Sequence, residues 1–184
     1  MPLIRIEALL TKRLTLRPVS PSDLPDLAEI NGDPQVTQFL PYSAWQSEAD
    51  GSAWLQRMEA LEAAGTSQQL AMARRTDAKV IGTVLLFRYD ELSARLEIGY
   101  VLGRAHWGQG LMREAIVAVC TKAFSTLSIR RLEAEVNPAN TASNTLLQRV
   151  GFVHEGRLRQ RWVSKGAAHD VNVYGLLAGE WKPT

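Results

Sequence analysis

The sequence predicts a single α+β domain over residues 1–184, built on a mostly antiparallel sheet. Three observations predict it. Strand-like alternation of apolar and polar residues recurs along the chain, and three such runs between Gln68 and Leu102 follow one another with only turn signals between them. Helical spacing of apolar residues is confined to separate blocks before and after those runs. One stretch alone reads strand, glycine loop, helix, strand, from Glu97 to the "RRLEAEVNP" segment, which is the order of a parallel crossover.

Each element has its own reason. "RLTLRPVS" (Arg13 to Ser20) alternates as a half-buried strand. "SPSDLPDLAEING" offers Ser20 or Ser22 as a helix cap, sets Leu24, Leu27, Ala28 and Ile30 on one face, and stops at Asn31-Gly32. "PQVTQFLPYSAWQ" is broken by prolines and reads as loop. A helix over about Ser47 to Ala64 carries Trp54, Met58 and Leu61 and ends at Gly65. Strands follow at Gln68 to Arg75, Lys79 to Tyr89 and Arg95 to Leu102. The next helix aligns Met112, Ile116, Val119, Cys120, Ala123 and Phe124. After the Arg131 strand, "NTASNTLLQRVG" is a short helix capped by Asn140 and closed by Gly151. Two final strands turn around Lys165-Gly166.

The bulk numbers exclude several classes. A net charge of +2 with scattered basic residues gives no nucleic-acid stripe. No run approaches the roughly 20 apolar residues of a membrane span, and the start is too short and too charged for a signal peptide. With 46% hydrophobic and 22% charged residues and one cysteine, the chain is expected to be soluble, disulfide-free and cytoplasmic. His106, His154 and His169 lack metal-ligand spacing, so no metal is expected. Cys120 belongs to an apolar helix face and is expected to be inert.

The loop "GRAHWGQGLMREA" is the most informative segment. Glycine costs backbone entropy and adds no packing, yet Gly108 and Gly110 stand where a helix begins. A helix start leaves about four amides unpartnered and carries partial positive charge. Without side chains in the way, a phosphate can reach the amides of Gln109, Gly110, Leu111 and Met112. The same two glycines also suit a plain tight turn. Arginine at 113 breaks a dinucleotide G-x-G-x-x-G, and Leu111-Met112 breaks a G-K-[ST] loop.

Two motifs together carry a family resemblance. "EIGYVLGRAHWGQGLMREA" followed by "LEAEVNPANTASNTLLQRVGFVHEG" resembles the GNAT N-acyltransferases, in particular their RimJ/RimL-like branch. The loop resembles that family's Q/R-x-x-G-x-G/A pyrophosphate loop. Asn137, Asn140, Ser143, Leu146 or Leu147, Gly151 and Phe152 match its later N-x-x-N-x-x-S-x-x-L-x-x-x-G-F pattern. Ala105 departs from it, standing where the family carries Gln or Arg.

The resemblance implies a twisted sheet with helices on both faces and a central parallel pair that splays apart. It implies acetyl-CoA as donor, its diphosphate on the loop from Trp107 through Gly108, Gln109, Gly110 and Leu111 to Met112. Its pantetheine would pair with the main chain of Tyr100, Val101 and Leu102 like an added strand. The acceptor implied is a primary amine: a protein N-terminal α-amine, as in ribosomal-protein acetylation, or a small molecule. A domain that holds acyl-CoA without turnover is the non-enzymatic alternative.

Acyl transfer to an amine requires a neutral nucleophile, a stabilised oxyanion and a proton for the departing thiolate. The resemblance places Ser143 beside the thiol as proton donor; otherwise it is a first-turn serine. Glu97 shares a strand face with Gly99 and Val101 and is the candidate base; otherwise it is an exposed strand residue paired with Arg95 or a neighbouring strand. Asn137 and Asn140 are candidate pantetheine contacts, Asn140 being a helix cap as well. Tyr42, Trp45 and Trp54 either line the acceptor pocket or belong to the core. The outer faces of the terminal strands suit a homodimer.

Overall fold

The computed structural model describes residues 5–182. Eight strands, β1 (Leu9–Leu10), β2 (Leu14–Pro18), β3 (Gln68–Arg74), β4 (Val80–Asp90), β5 (Arg95–Leu102), β6 (Arg131–Val136), β7 (Val153–Ser164) and β8 (Ala167–Leu177), form one sheet. Their order is β1-β2-β3-β4-β5-β6-β8-β7. Every neighbouring pair is antiparallel except β5 and β6. The helices are α1 (Leu24–Asn31), α2 (Pro34–Thr37), α3 (Glu48–Ala63), α4 (Leu111–Ser125) and α5 (Thr141–Val150).

The helices divide between the two faces. Leu70 and Met72 of β3 join Leu14, Leu16, Leu96 and Ile98 under the apolar side of α4, which buries Met112, Ile116, Val119, Cys120 and Ala123. The alternate β3 residues, Ala71 and Ala73, face the other way, where Leu27 and Ile30 of α1 and Trp54, Leu55 and Met58 of α3 cover them. Their methyl side chains leave room for the Trp54 indole, whose ring centroid lies 5.7 Å from that of Trp45. Trp45 and Trp54 therefore belong to this second core. Leu61, expected on the same stripe, stays 36% exposed at the end of α3.

Caps set the helix limits. Asp50 accepts from the amides of Gln46 and Ser47 at 2.7 and 3.0 Å, fixing the start of α3. Asn140 accepts from the Ser143 amide at 3.1 Å and starts α5. Two elements are additions to what periodicity predicts. Asp33 accepts from the Gln35 amide at 2.9 Å with Pro34 at the first helical position, which makes a helical turn of α2 inside the expected loop. β1 is two residues long, too short for alternation to register.

Candidate active site

β5 and β6 are in register only from Arg95↔Arg131 to Glu97↔Glu133. Beyond that they part: β5 follows β4 as far as Leu102, and β6 follows β8 as far as Val136. From Ile98 onward, the main-chain groups of β5 that point away from β4 therefore face a gap instead of a strand. Tyr100, Val101 and Leu102 lie along this margin, and the Trp107 indole closes its far end by donating to the Leu102 carbonyl at 2.8 Å.

The glycine loop opens next to that margin. Gly108 and Gly110 both have φ of +72°, a left-handed conformation that costs other residues about 1–2 kcal/mol. At Gly108 a Cβ would meet nothing within 4 Å, so the missing side chain leaves open space rather than room for a neighbour. Among the described residues, no acceptor takes the amides of Gly108, Gln109, Gly110, Leu111 or Met112. The side chains of Leu111 and Met112 point into the core, so only their main chain serves the loop. These donors and the open space fit a diphosphate.

Sequence reasoning missed the residue that braces this loop. Arg13, just before β2, donates through Nη1 to the Gln109 carbonyl at 2.9 Å and through Nε to Glu114 at 2.7 Å. Its Nη2 lies 3.7 Å from the position of a Cβ on Gly110. A guanidinium from a distant part of the chain thus stands beside the loop, where Ala105 supplies no charge. Burial would raise the Glu114 pKa, but bonds from Thr11 and Arg13 outweigh it and hold the carboxyl below its ordinary value.

On the α5 side of the gap, the Tyr100 phenol and the Ser143 hydroxyl lie 2.6 Å apart. Burial pushes the Tyr100 pKa up, so its hydroxyl keeps its proton. The side-chain oxygens of Asn137 and Asn140 are spent locally, accepting from the amides of Ala139 and Ser143. Asn144 organises the segment. Its Nδ2 donates to the Asn137 and Asn140 carbonyls at 3.1 and 2.7 Å, while its Oδ1 accepts from Asn172 and Tyr174, both at 2.8 Å. The signal available was an asparagine inside a helix, where that side chain is a poor choice unless it bonds backbone.

Glu97 lies on the opposite face of β5, at the vertex of the splay. It is 5% exposed, and its partner is Arg88 Nη1 at 2.8 Å, not Arg95. Burial raises its pKa; Arg88 opposes the rise, and Glu135 and Glu133 add to it. Arg95 binds Glu133 instead, at 2.8 Å. Tyr42 donates to Asn31 at 2.9 Å, and burial pushes its phenol to about 12.

Comparison with known proteins gives the family. The family model described as "Acetyltransferase (GNAT) domain" matches residues 13–153. The N-acetyltransferase p20 of Bacillus licheniformis, itself uncharacterized, is 34% identical over 96% of this chain and 99% of its own. The ribosomal-protein-serine acetyltransferase of Escherichia coli K12 is 30% identical over 72% of this chain and 73% of its own. The Vibrio cholerae spermidine N-acetyltransferase, solved with CoA and spermine, shares the fold with a TM-score of 0.80 at 19% identity, covering 92% of this chain and 98% of that one. A parallel pair parted beside an open glycine loop, on a chain matched by the family model through both motifs, makes this protein a member of the GNAT family of acetyltransferases.

Proposed function

We propose that the protein transfers the acetyl group of acetyl-CoA to a protein N-terminal α-amine by direct attack within a ternary complex. The observation that carries this reading is the pair of groups flanking one open strand margin: Tyr100–Ser143 on one side of the sheet and the buried Glu97 on the other. The amides of residues 108–112 hold the diphosphate, and the Tyr100–Leu102 margin receives the pantetheine amides. Acetyl-CoA, when bound, supplies an activated thioester carbonyl.

Glu97 takes a proton from the acceptor ammonium, and its raised pKa makes it a better base than an exposed carboxylate. The freed amine forms the N–C bond. An amide of the β5 margin donates to the developing oxyanion. The C–S bond then breaks, Ser143 gives the thiolate a proton, and the second proton shed by the attacking nitrogen returns through water to the Ser143–Tyr100 pair. Two hydroxyls in contact share one hydrogen bond, which leaves one proton to point into the gap, and Tyr100 can replenish it. An α-amine, with a pKa near 8, is already about a tenth neutral at pH 7, whereas a lysine near 10.4 is almost fully charged. One moderate base suits the former. The ribosomal-protein relative supports the same acceptor class.

The test is a thiol-release screen of peptides with free and blocked N-termini, together with lysine side-chain peptides and small amines. Release with free N-terminal peptides alone is expected. Release with small amines alone moves the protein to small-molecule acetylation. Acetyl-CoA binding with no release from any amine makes it a non-catalytic acyl-CoA module.

A further inference from the structure

The two arms of the splay each bring a carboxylate to the same place. Glu97 is the last β5 residue in register with β6, opposite Glu133. Glu135 lies two residues further along β6, on the same face, where the strands have begun to part. The side chains of Glu97 and Glu135 are 6% and 9% exposed. Arg88 stands between them, its Nη1 2.8 Å from Glu97 and 3.5 Å from Glu135.

The three partners are unequal. Arg88 leaves β4 at a bulge with φ of +53°, and its side chain is 51% exposed. Among the described residues it is the only cation on Glu97. Glu135 has other donors, the Trp162 indole at 2.7 Å and Arg161 at 3.4 Å, both from β7. Two buried carboxylates this close require a cation between them, because like charges out of water are costly. A long, half-exposed arginine can supply that cation and can also swing into solvent.

We propose that Arg88 is a place-holder for the acceptor: in the free enzyme its guanidinium fills an ammonium site formed by Glu97 and Glu135, and the incoming amine displaces it. This rests on the acetyl-transfer reading above and adds Glu135 as a residue that selects cationic acceptors. The amine arrives as an ammonium and replaces Arg88 between the carboxylates. Glu135 keeps its Trp162 and Arg161 donors and holds the amine. Glu97 exchanges a guanidinium, which cannot give up a proton, for an ammonium, which can, and accepts one of the ammonium protons.

The charged groups facing Glu97 are Arg88 from β4 and Glu133 and Glu135 from β6. Glu133 is tied to Arg95 and Arg131, at 2.8 and 2.7 Å. Removing Arg88 takes away the cation that lowers the Glu97 pKa in the free enzyme, so the acid limb of kcat/KM moves to higher pH. Removing the charge of Glu135 takes away an anion that raises it, so the limb moves to lower pH. A merely structural role would depress activity without moving the limb in opposite directions.

Binding is tested without turnover, using alaninamide as a cationic probe and N-acetyl-alaninamide as its neutral counterpart. The Trp162 indole N–H resonance reports on Glu135. It is expected to shift and saturate with alaninamide and stay still with the acetylated compound. Arg88→Met is expected to tighten alaninamide about threefold or more, Arg88→Lys to restore wild-type behaviour, and Glu135→Gln to weaken it about tenfold with CoA affinity unchanged. Glu135→Asp, which keeps the charge, serves if the glutamine variant does not fold, and is expected to retain more of the binding.

An indole resonance that ignores alaninamide, or equal affinity in wild type, Arg88→Met and Glu135→Gln, overturns the proposal. Alaninamide binding that follows these variants in a protein that acetylates nothing would overturn the transferase reading and leave the ammonium site standing.

Discussion

A buried carboxylate with one half-exposed cation is an uncomfortable group for the fold. Burial raises the pKa of Glu97, so folding disfavours its charged form relative to the unfolded chain. Its favourable contribution to stability is present below the ordinary carboxylate range and is lost as pH rises through its folded value. Glu97→Gln is therefore expected to raise the melting temperature at neutral pH by about 2–4 °C, the response of a domain this size to roughly 1 kcal/mol. The gain should vanish in acid, and turnover should be lost. Thermal melts across a pH series check this; equal melting points at pH 7 would remove the claim that burial governs Glu97. Ser143→Ala is expected to lower kcat about 10- to 100-fold with CoA affinity unchanged, since water or Tyr100 can still deliver a proton less well.

The helix-start loop and the Asn137–Asn144 segment are each held by a contact from outside. Gly108→Val is expected to weaken CoA binding tenfold or more, read by calorimetry. Gly108→Asn, which tolerates a positive φ, separates backbone strain from obstruction. Arg13→Met frees the Gln109 carbonyl and is expected to weaken CoA binding by about tenfold, the low end of the scale for a lost charge-assisted bond. Asn144→Ala removes four hydrogen bonds and is expected to cost about 2 kcal/mol of stability in a denaturant titration. The glycine loop and the N-x-x-N-x-x-S segment were legible in the sequence because their chemistry is local: a turn, a cap, a run of free amides. The braces were not. Arg13 meets Gln109 across 96 residues and Tyr100 meets Ser143 across 43, separations at which no periodicity links two letters. The strand face of Glu97 was legible from alternation, but its partner depends on a bulge in β4 that redirects Arg88.

Across the whole molecule, strand alternation and the single strand–helix–strand crossover were enough to give the sheet's character, including its one parallel pair. Strand order at the far edge depends on the long β7–β8 hairpin, whose tip reaches back over the molecule. Lys165 donates to the carbonyls of Thr37 and Gln38 at 2.6 and 3.2 Å, linking the last hairpin to the end of α2. Lys165→Met is expected to speed amide exchange in the 159–170 tip while the core strands keep their protection. An unchanged tip would show that the link does not hold it.

The short seam between β5 and β6 has a mechanical consequence. Three residue pairs stitch the two halves of the sheet at one end, and beyond them the two strands diverge like a wedge with no pairing between them. A guest lying in that wedge is a keystone: it supplies bonds to an arm that otherwise has no strand partner on that side. Filling the site and stiffening the scaffold should then be one event, visible as slowed exchange on both arms, residues 98–102 and 134–136, at the same coenzyme concentration.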